Sequence, residues 1–263
     1  MFIYFVVVFA ASINSGNPTA VVILDKWPKV DYMQKMSLKF NLSQTVFVKK
    51  IDYIRHYIRW FTPYSEAPFC IHASLASAYV IFYRNLKLLV VNFYNTNTII
   101  TVEKYGQLLN LFSNKIKISN FKDKNSILRI FNNNNECNYI AKSRNILFIE
   151  LKKENKLYQV KPKFKLINKL PFRALLITSL SRKHDFVSRY FAPIVGIYED
   201  PVCGSAHCRL ASYWSTKLNI NILFAYQASK KGGGVKCKNL NNKIVIIGKV
   251  ILLNSNCIDI NYS

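Results

Sequence analysis

The chain has 263 residues, of which 51% are hydrophobic and 14% aromatic, so its composition is that of a globular protein and its length allows two small domains. Lys and Arg number 37 against 13 Asp and Glu, which gives a formal charge of +24. The lysines are mixed with Asn and Ile along the whole chain, without a concentrated patch and without an RNP, zinc-finger or basic-helix motif. We therefore expect no nucleic-acid partner, although the charge should steer anionic substrates toward the protein.

The cysteines and the first residues bear on location. The six cysteines form no CxxC pair, and a chain of this length needs no disulfide staples, so we expect reduced thiols in the cytoplasm and no zinc site. Residues 1–12 resemble a signal-peptide core, but they lack a basic n-region and are too short to span a bilayer. Their β-branched and aromatic residues favour a buried first strand. No other segment is apolar over the roughly 20 residues of a transmembrane helix, so no membrane partner is expected.

Short β-branched runs bounded by Gly, Pro, Asn or Asp alternate with helical patterns and predict an α+β fold with more strand than helix. Asn132–Asn135 is polar and of low complexity, which predicts a loop, and residues 84–145 as a whole give the weakest pattern. The predicted strands are Ile3–Phe9, Ala20–Leu24, Thr45–Val48, Tyr57–Phe61, Ile99–Val102, Ile146–Leu151, Ala174–Ile177 and Lys243–Leu252, and the predicted helices are Tyr32–Phe40, His72–Tyr83 and Ser205–Lys217.

Two motifs recur in the same order in the two halves of the chain. Arg59-Trp60-Phe61-Thr62-Pro63 returns as Arg189-Tyr190-Phe191-Ala192-Pro193, 130 positions later, and a segment that begins at His72 returns at His207, 135 positions later. Offsets of this length indicate duplicated domains, because solenoid repeats have periods of about 20–50 residues. We expect the five-residue difference between the offsets to be taken up just before the second helix.

A turn immediately precedes the predicted helix in each half. Cys203-Gly204-Ser205-Ala206 opens the second helix: Gly permits a tight backbone, Ser can cap the helix, and the free N–H groups lie at the positive end of the helix dipole. This arrangement is suited to binding an anion. Cys70-Ile71-His72-Ala73 stands at the corresponding place in the first half. Two such helix starts facing one cleft would hold a carboxylate, and the alternative is that both are plain capped helices packed in cores.

Seven short blocks carry the most specific information. They are Gly16–Val21, Asn41–Thr45, Ile58–Pro63, Cys70–Ala78, Asp185–Pro193, Glu199–Cys208 and Gln227–Gly233. In this order, and over almost the whole chain, they resemble the PhzF family of phenazine-biosynthesis isomerase-like proteins. The resemblance implies two diaminopimelate-epimerase-like lobes, residues 1–120 and 121–263, each a curved, mostly antiparallel sheet around a central helix. It also implies a cleft between the lobes and neither a metal nor an organic cofactor.

Family members of known activity move a proton within a small carboxylate substrate, so the resemblance implies a small carboxylate-bearing metabolite as the ligand. It places Gln44 where the family has its proton-shuttling carboxylate. A carboxamide has no titratable proton near neutral pH, so we expect the inherited activity to be altered or lost.

The other family positions fall on His72, Asp200 and Ser205, which match the family pattern. His72 and Asp200 would position the substrate and handle polar hydrogens, and Ser205 with the backbone around Gly204 would hold the carboxylate. Ile71 replaces a Gly that usually precedes the first His, and we expect it to crowd that anion-binding turn.

Two alternatives stay open. Cys70 and Cys203 lie at or just before the two helix starts, where related diaminopimelate epimerases and proline racemases carry a pair of cysteines that removes and returns an α-proton. A helix N-terminus lowers the pKa of a thiol, so the chain would then be a two-cysteine racemase or epimerase. The other alternative is a catalytically silent binding or scaffold protein of the same fold. The oligomeric state that we consider is a homodimer.

Overall fold

The computed structural model describes residues 1–96, 98–121 and 137–257, and the predicted loop at Asn132–Asn135 lies outside them. The chain forms two compact units, Met1–Ser113 together with Val245–Ser263, and Asn114–Ile244. These units differ from the predicted lobes, 1–120 and 121–263, mainly at the end of the chain. The last strand belongs to the first unit because it is hydrogen-bonded to the first strand.

The described elements confirm the α+β class with more strand than helix. All eight predicted strands and all three predicted helices are present, most of them longer than predicted. Over the described ranges, no helix is long and apolar enough to cross a membrane. The strands are β1 Phe2–Val8, β2 Asn17–Leu24, β3 Gln44–Lys50, β4 Arg55–Phe61, β5 Glu66–Ala67, β6 Val90–Asn95, β7 Thr98–Tyr105, β8 Leu108–Asn114, β9 Ser119–Asn120, β10 Cys137–Ser143, β11 Ile146–Leu151, β12 Ala174–Leu180, β13 Phe186–Phe191, β14 Ile222–Gln227, β15 Gly233–Asn239 and β16 Lys243–Cys257. The α-helices are α1 Val30–Phe40, α2 Ile71–Arg84, α3 Glu154–Gln159, α4 Phe164–Ile167 and α5 Gly204–Leu218, and Pro193–Val195 form a 3-10 turn.

The first unit contains a closed barrel of eight strands, in the order β1-β2-β3-β4-β6-β7-β8-β16, with β16 paired back to β1. The parallel pairs β2–β3 and β4–β6 are each connected through a helix, α1 and α2 respectively. Helix α2 contacts β1, β2, β3, β6 and β7. Because these strands lie around the barrel, α2 fills its interior.

The hydrophobic pattern of a strand in the first unit depends on whether one or both of its faces are packed against other elements. Helix α1 packs its buried Met33 against Val22 and Phe47 on the outer side of the barrel, while α2 lies on the inner side. Strands covered on both faces become continuous apolar runs. In β6, by contrast, Val91 and Phe93 are fully buried, and Asn92 between them is partly exposed.

The second unit repeats the connectivity of the first. The pairs β10–β11, β11–β12, β12–β13, β13–β14 and β14–β15 are in turn antiparallel, parallel, antiparallel, parallel and antiparallel. The pairs β1–β2, β2–β3, β3–β4, β4–β6 and β6–β7 follow the same succession. Helices α3 and α4 stand in the place of α1, and α5 stands in the place of α2. The structure therefore confirms the duplication.

The repeated Arg-aromatic-Phe motif forms an equivalent ion pair in each unit. Arg59 donates from Nε and Nη2 to the two carboxylate oxygens of Glu66, at 2.7 and 2.6 Å. Arg189 makes the same two-pronged contact with Glu199, at 2.7 and 3.2 Å. The guanidinium carbon lies over the ring of Phe61 at 5.4 Å in one unit and over Phe191 at 4.9 Å in the other.

The register between the two central helices is set by their N-caps, Cys70 and Cys203, which are 133 positions apart. Ser74 Oγ and His207 Nδ1 then occupy equivalent places, since each bonds to the carbonyl oxygen of its N-cap residue, at 2.7 and 2.8 Å. The predicted match of His72 with His207 is therefore wrong by two residues.

The extra residues of the second half also lie earlier than predicted. The paired Arg and Glu are seven residues apart in the first unit and ten apart in the second. The 3-10 turn Pro193–Val195 lies within this longer segment. From Glu199 onward the chain follows the spacing of the first unit, so nothing is inserted immediately before α5.

Candidate functional site

In the first unit, polar side chains from the starts of β2, β3 and α2 converge on Asn17. Its Nδ2 lies 3.4 Å from His72 Nδ1. Its Oδ1 accepts a hydrogen bond from Ser43 Oγ, which also contacts the carbonyl oxygen of Pro18 at 3.0 Å. Asn17 is completely buried. It therefore connects the helix start that carries His72 with the strand start that carries Gln44.

His72 is the second residue of α2 and is neutral in the folded protein. Burial lowers the pKa of its imidazole to about 3. The amide nitrogen of Asn17 can only donate, so the ring accepts at Nδ1 and carries its proton on Nε2. Cys70 Sγ lies 3.4 Å from the same Nδ1. The ring is thus oriented from two sides and keeps a polar N–H on Nε2.

Gln44 begins β3 and is 6% exposed. Its Oε1 is buried and accepts no hydrogen bond from any described residue. The hydroxyl oxygen of Thr19, which pairs with Gln44 on β2, is also buried and has no hydrogen bond to any described residue. Buried polar atoms are nearly always hydrogen-bonded, so two unpartnered oxygens on adjacent strands are suited to contacting a ligand that donates hydrogen bonds.

Ile71 is the first residue of α2 and is 2% exposed. Its side chain is part of the packed interior at the place where the second unit has Gly204. The two helix starts are therefore unequal in the space that they leave beside the backbone.

In the second unit, Gln227 fixes the turn that leads into α5. Its Oε1 accepts from the backbone N–H of Cys203 at 2.8 Å, and its Nε2 donates to the carbonyl oxygen of Asp200 at 2.6 Å. Ser229 Oγ donates to the carbonyl oxygen of Pro201 at 2.6 Å. Asp200 is 8% exposed. The turn is therefore held by side chains of a neighbouring strand and the loop that follows it.

Ser205 does not cap α5 as predicted. The N-cap is Cys203, with an extended backbone and no side-chain cap, and Ser205 is the second residue of the helix. Its hydroxyl lies 3.4 Å from Cys203 Sγ. Because Ser205 is partly exposed, its hydroxyl remains at the helix start where the sequence places the anion site.

The Cys203 thiol is not activated, contrary to the lowered pKa expected at a helix N-terminus. Burial, and then repulsion by the nearby Asp200 carboxylate, raise its pKa to about 12, although the hydrogen bond with Ser205 lowers it. A buried thiol beside a negative charge stays protonated at neutral pH.

Two further polar residues lie in the first turns of α5. His207 is completely buried, its Nδ1 bonds to the Cys203 carbonyl, and burial lowers its pKa to about 4. Arg209 donates to the carbonyl oxygen of Ser205 at 2.7 Å and is 6% exposed. Within the described residues, no group of three or more His, Cys, Asp or Glu is placed to hold a metal ion.

The structure groups the predicted residues within each unit. Gln44, Cys70 and His72 belong to the starts of β3 and α2, and Asp200 and Ser205 belong to the turn and first turn of α5. Sequence reasoning gave no role to Asn17, Gln227 and Arg209. Asn17 and Gln227 lie inside the resemblance blocks, and Arg209 is a charged residue on a buried helix face. These features could have drawn attention to the three residues.

Three comparisons place this architecture among known proteins. The family model described as phenazine biosynthesis-like protein, PhzC-PhzF, matches residues 6–254. The chain is 36% identical over 257 residues to an uncharacterized isomerase of Halalkalibacterium halodurans, with 95% of each protein covered. It is similar to the crystal structure of a PhzF-family phenazine biosynthesis protein of Enterococcus faecalis, with a TM-score of 0.90, 33% identity and 97% of each chain covered. A hydroxyproline epimerase of Agrobacterium vitis, at 7% identity and a TM-score of 0.62 over 97% of this chain and 91% of that one, shares the fold.

Proposed function

Because the chain belongs to the phenazine biosynthesis-like PhzC-PhzF family, we propose that it binds a small carboxylate metabolite as an isomerase-type protein whose proton transfer is altered by Gln44. The names of its relatives support an isomerase-type function. The substrate class and the effect of Gln44 on proton transfer are our own proposals.

The observation that carries the proposal is the unpartnered Oε1 of Gln44, which is buried beside the Asn17–Ser43–His72 network. A carboxylate at this place would exchange a proton with substrate carbon. A carboxamide can only hold a donor group there, because it neither gains nor loses a proton near neutral pH. In this proposal the polar framework around the acid/base position is kept, and its titratable group is replaced by the amide of Gln44.

The other residues take supporting roles in the proposal. Neutral His72 would donate from Nε2 to an oxygen of the substrate, and Asp200 would accept a polar hydrogen. Ser205 and the backbone around Gly204 would hold the carboxylate at the start of α5, where the helix dipole favours an anion.

The test is a binding series followed by one substitution. Wild-type protein is screened by thermal shift against small α-amino, α-hydroxy and unsaturated acids, and His72→Asn and Ser205→Ala should each weaken the binding of any acid that stabilises it. Gln44→Glu should then catalyse exchange of a substrate C–H with solvent. If no acid stabilises the wild type and Gln44→Glu exchanges nothing, the scaffold alternative is favoured.

The two-cysteine alternative has one feature in its favour, since Cys70 and Cys203 are the equivalent N-cap residues of the two central helices. Two-base chemistry requires one thiolate, however, and burial together with Asp200 keeps the pKa of Cys203 at about 12. We therefore place this candidate second. The cytoplasmic location and the homodimer stay predictions from the sequence.

A further inference from the structure

Arg209 is a buried cation whose acceptors among the described residues are all neutral. The side chain is 6% exposed. Nη1 donates to the carbonyl oxygen of Ser205 at 2.7 Å, and Nε donates to the hydroxyl of Ser143 at 3.2 Å. A guanidinium stays protonated, and Arg is rarely buried without a charged partner. Neither of these two hydrogen bonds pairs the positive charge of Arg209 with a carboxylate.

The guanidinium has hydrogen-bonding capacity left. It carries five N–H groups, and the two described bonds use one on Nε and one on Nη1. One N–H on Nη1 and two on Nη2 are not used by these bonds, and a guanidinium can bind both oxygens of a carboxylate through two such N–H groups. Side chains of a helix lean toward its N-terminus, so this group lies along the turn that begins with Ser205.

The groups around Arg209, and the residue at the equivalent position of the first unit, both bear on its role. Burial lowers the pKa of Arg209, the nearby Cys203, Tyr190 and Cys208 raise it, and repulsion by Arg144 lowers it to a smaller extent. The equivalent position of α2, six residues after its N-cap, is the buried Ala76. The positive charge is thus a feature of the second unit only and is not required by the helix packing that the two units share.

We propose that Arg209 forms a second anion subsite beside Ser205, so that this chain selects a dicarboxylate over a monocarboxylate of equal length. The inference rests on the proposed function, because it takes the start of α5 as the place of the first carboxylate. Arg209 would bind the second carboxylate through its Nη1–Nη2 edge while Ser143 and the Ser205 carbonyl fix its orientation.

The experiment uses the full-length protein and isothermal titration with succinate and with butyrate, which have the same chain length and differ in one carboxylate. Wild type should bind succinate about tenfold more tightly than butyrate, as expected for a two-pronged charged contact. Arg209→Gln should bring this ratio to about one. Arg182→Gln, which removes the same charge from an exposed position of the second unit, should leave the ratio unchanged.

The titration results distinguish failure of the Arg209 subsite from failure of the proposed function. If wild type binds both acids equally, or if Arg209→Gln keeps the succinate preference, the subsite is refuted and the proposed function stands. If wild type binds neither acid and no other small carboxylate, both fail together. Should Arg209→Gln not fold, Arg209→Lys decides: it keeps the charge without the two-pronged edge, so an unchanged ratio overturns the proposal and a reduced one supports it.

Discussion

Asn17 Nδ2 lies 3.4 Å from His72 Nδ1, across 55 positions of the chain. Through this contact and its bond from Ser43, Asn17 holds the start of α2 against the start of β3. The orientation of the imidazole on α2, and with it the direction of the Nε2 proton, therefore depends on an amide side chain of β2.

Asn17→Ala should lower the free energy of unfolding by about 1–3 kcal/mol, because it leaves buried groups without their partner. It should also weaken carboxylate binding, since His72 loses its orientation. Urea denaturation and thermal shift with the bound acid measure the two effects. Asn14→Ala is the matched control at an exposed position and should change neither; equal stabilities of the two variants would contradict the role given to Asn17.

The two equivalent ion pairs differ in burial, and their removal should differ accordingly. The Arg189 and Glu199 side chains are 11% and 22% exposed, against 27% and 37% for Arg59 and Glu66. Arg189 also donates to the carbonyl oxygens of Leu157 and Val160. We expect Arg189→Met to lower stability by about 3 kcal/mol and Arg59→Met by about 1 kcal/mol. A larger loss for Arg59→Met in urea denaturation would show that burial does not set the ranking.

Thiol reactivity distinguishes the two-cysteine alternative. With a pKa of about 12, Cys203 should react with iodoacetamide far more slowly than the exposed Cys257 at pH 7.5, because only the thiolate attacks. Peptide mapping by mass spectrometry, with labelling in urea as the reference for accessible thiols, gives the rate for each cysteine. Labelling of Cys203 in the native protein faster than in urea would favour the two-cysteine reading.

Two buried histidines make stability fall in acid. Burial lowers the pKa of His72 to about 3 and that of His207 to about 4, whereas an unfolded histidine titrates near 6.5. Between these values the unfolded chain binds more protons, so the free energy of unfolding decreases as the pH falls from about 6.5.

His207→Ser should remove part of this pH dependence, because a serine there can bond to the N-cap carbonyl as Ser74 does in the first unit. The difference in unfolding free energy between pH 7 and pH 4 should shrink by about 2–3 kcal/mol, at about 1.4 kcal/mol per pKa unit. Urea denaturation at the two pH values measures it, and an unchanged difference would mean that His207 does not titrate on unfolding.

The sequence predicted β1, a strand whose two faces are both covered, but missed β13, which is also buried on both faces. Val6, Val7 and Val8 are all buried, so β1 appears as an unbroken apolar run. β6 was missed because Asn92 interrupts it on the partly exposed face. The starts of the two central helices were predicted. The register between the halves was not, because His72 lies two residues after its N-cap whereas His207 lies four residues after its own.

The sequence could predict candidate residues for the site, but not the contacts between them. Gln44, His72, Asp200 and Ser205 follow from the resemblance blocks. The Asn17–His72 contact and the bonds of Gln227 to Asp200 and Cys203 join residues that are far apart in the chain, so they depend on the strand order. The thiol pKa was predicted in the wrong direction because burial and a neighbouring carboxylate outweigh the helix terminus.

The central claim is that the chain keeps a carboxylate-binding isomerase framework in which Gln44 removes the acid/base group. The most direct measurement is proton NMR in D₂O of the acid that binds most tightly to wild type, incubated with wild type and with Gln44→Glu. The account predicts loss of one C–H signal with Gln44→Glu at a rate at least about 100-fold above wild type, the usual contribution of a general acid/base. Equal rates in the two proteins, with the acid bound in both, would contradict it.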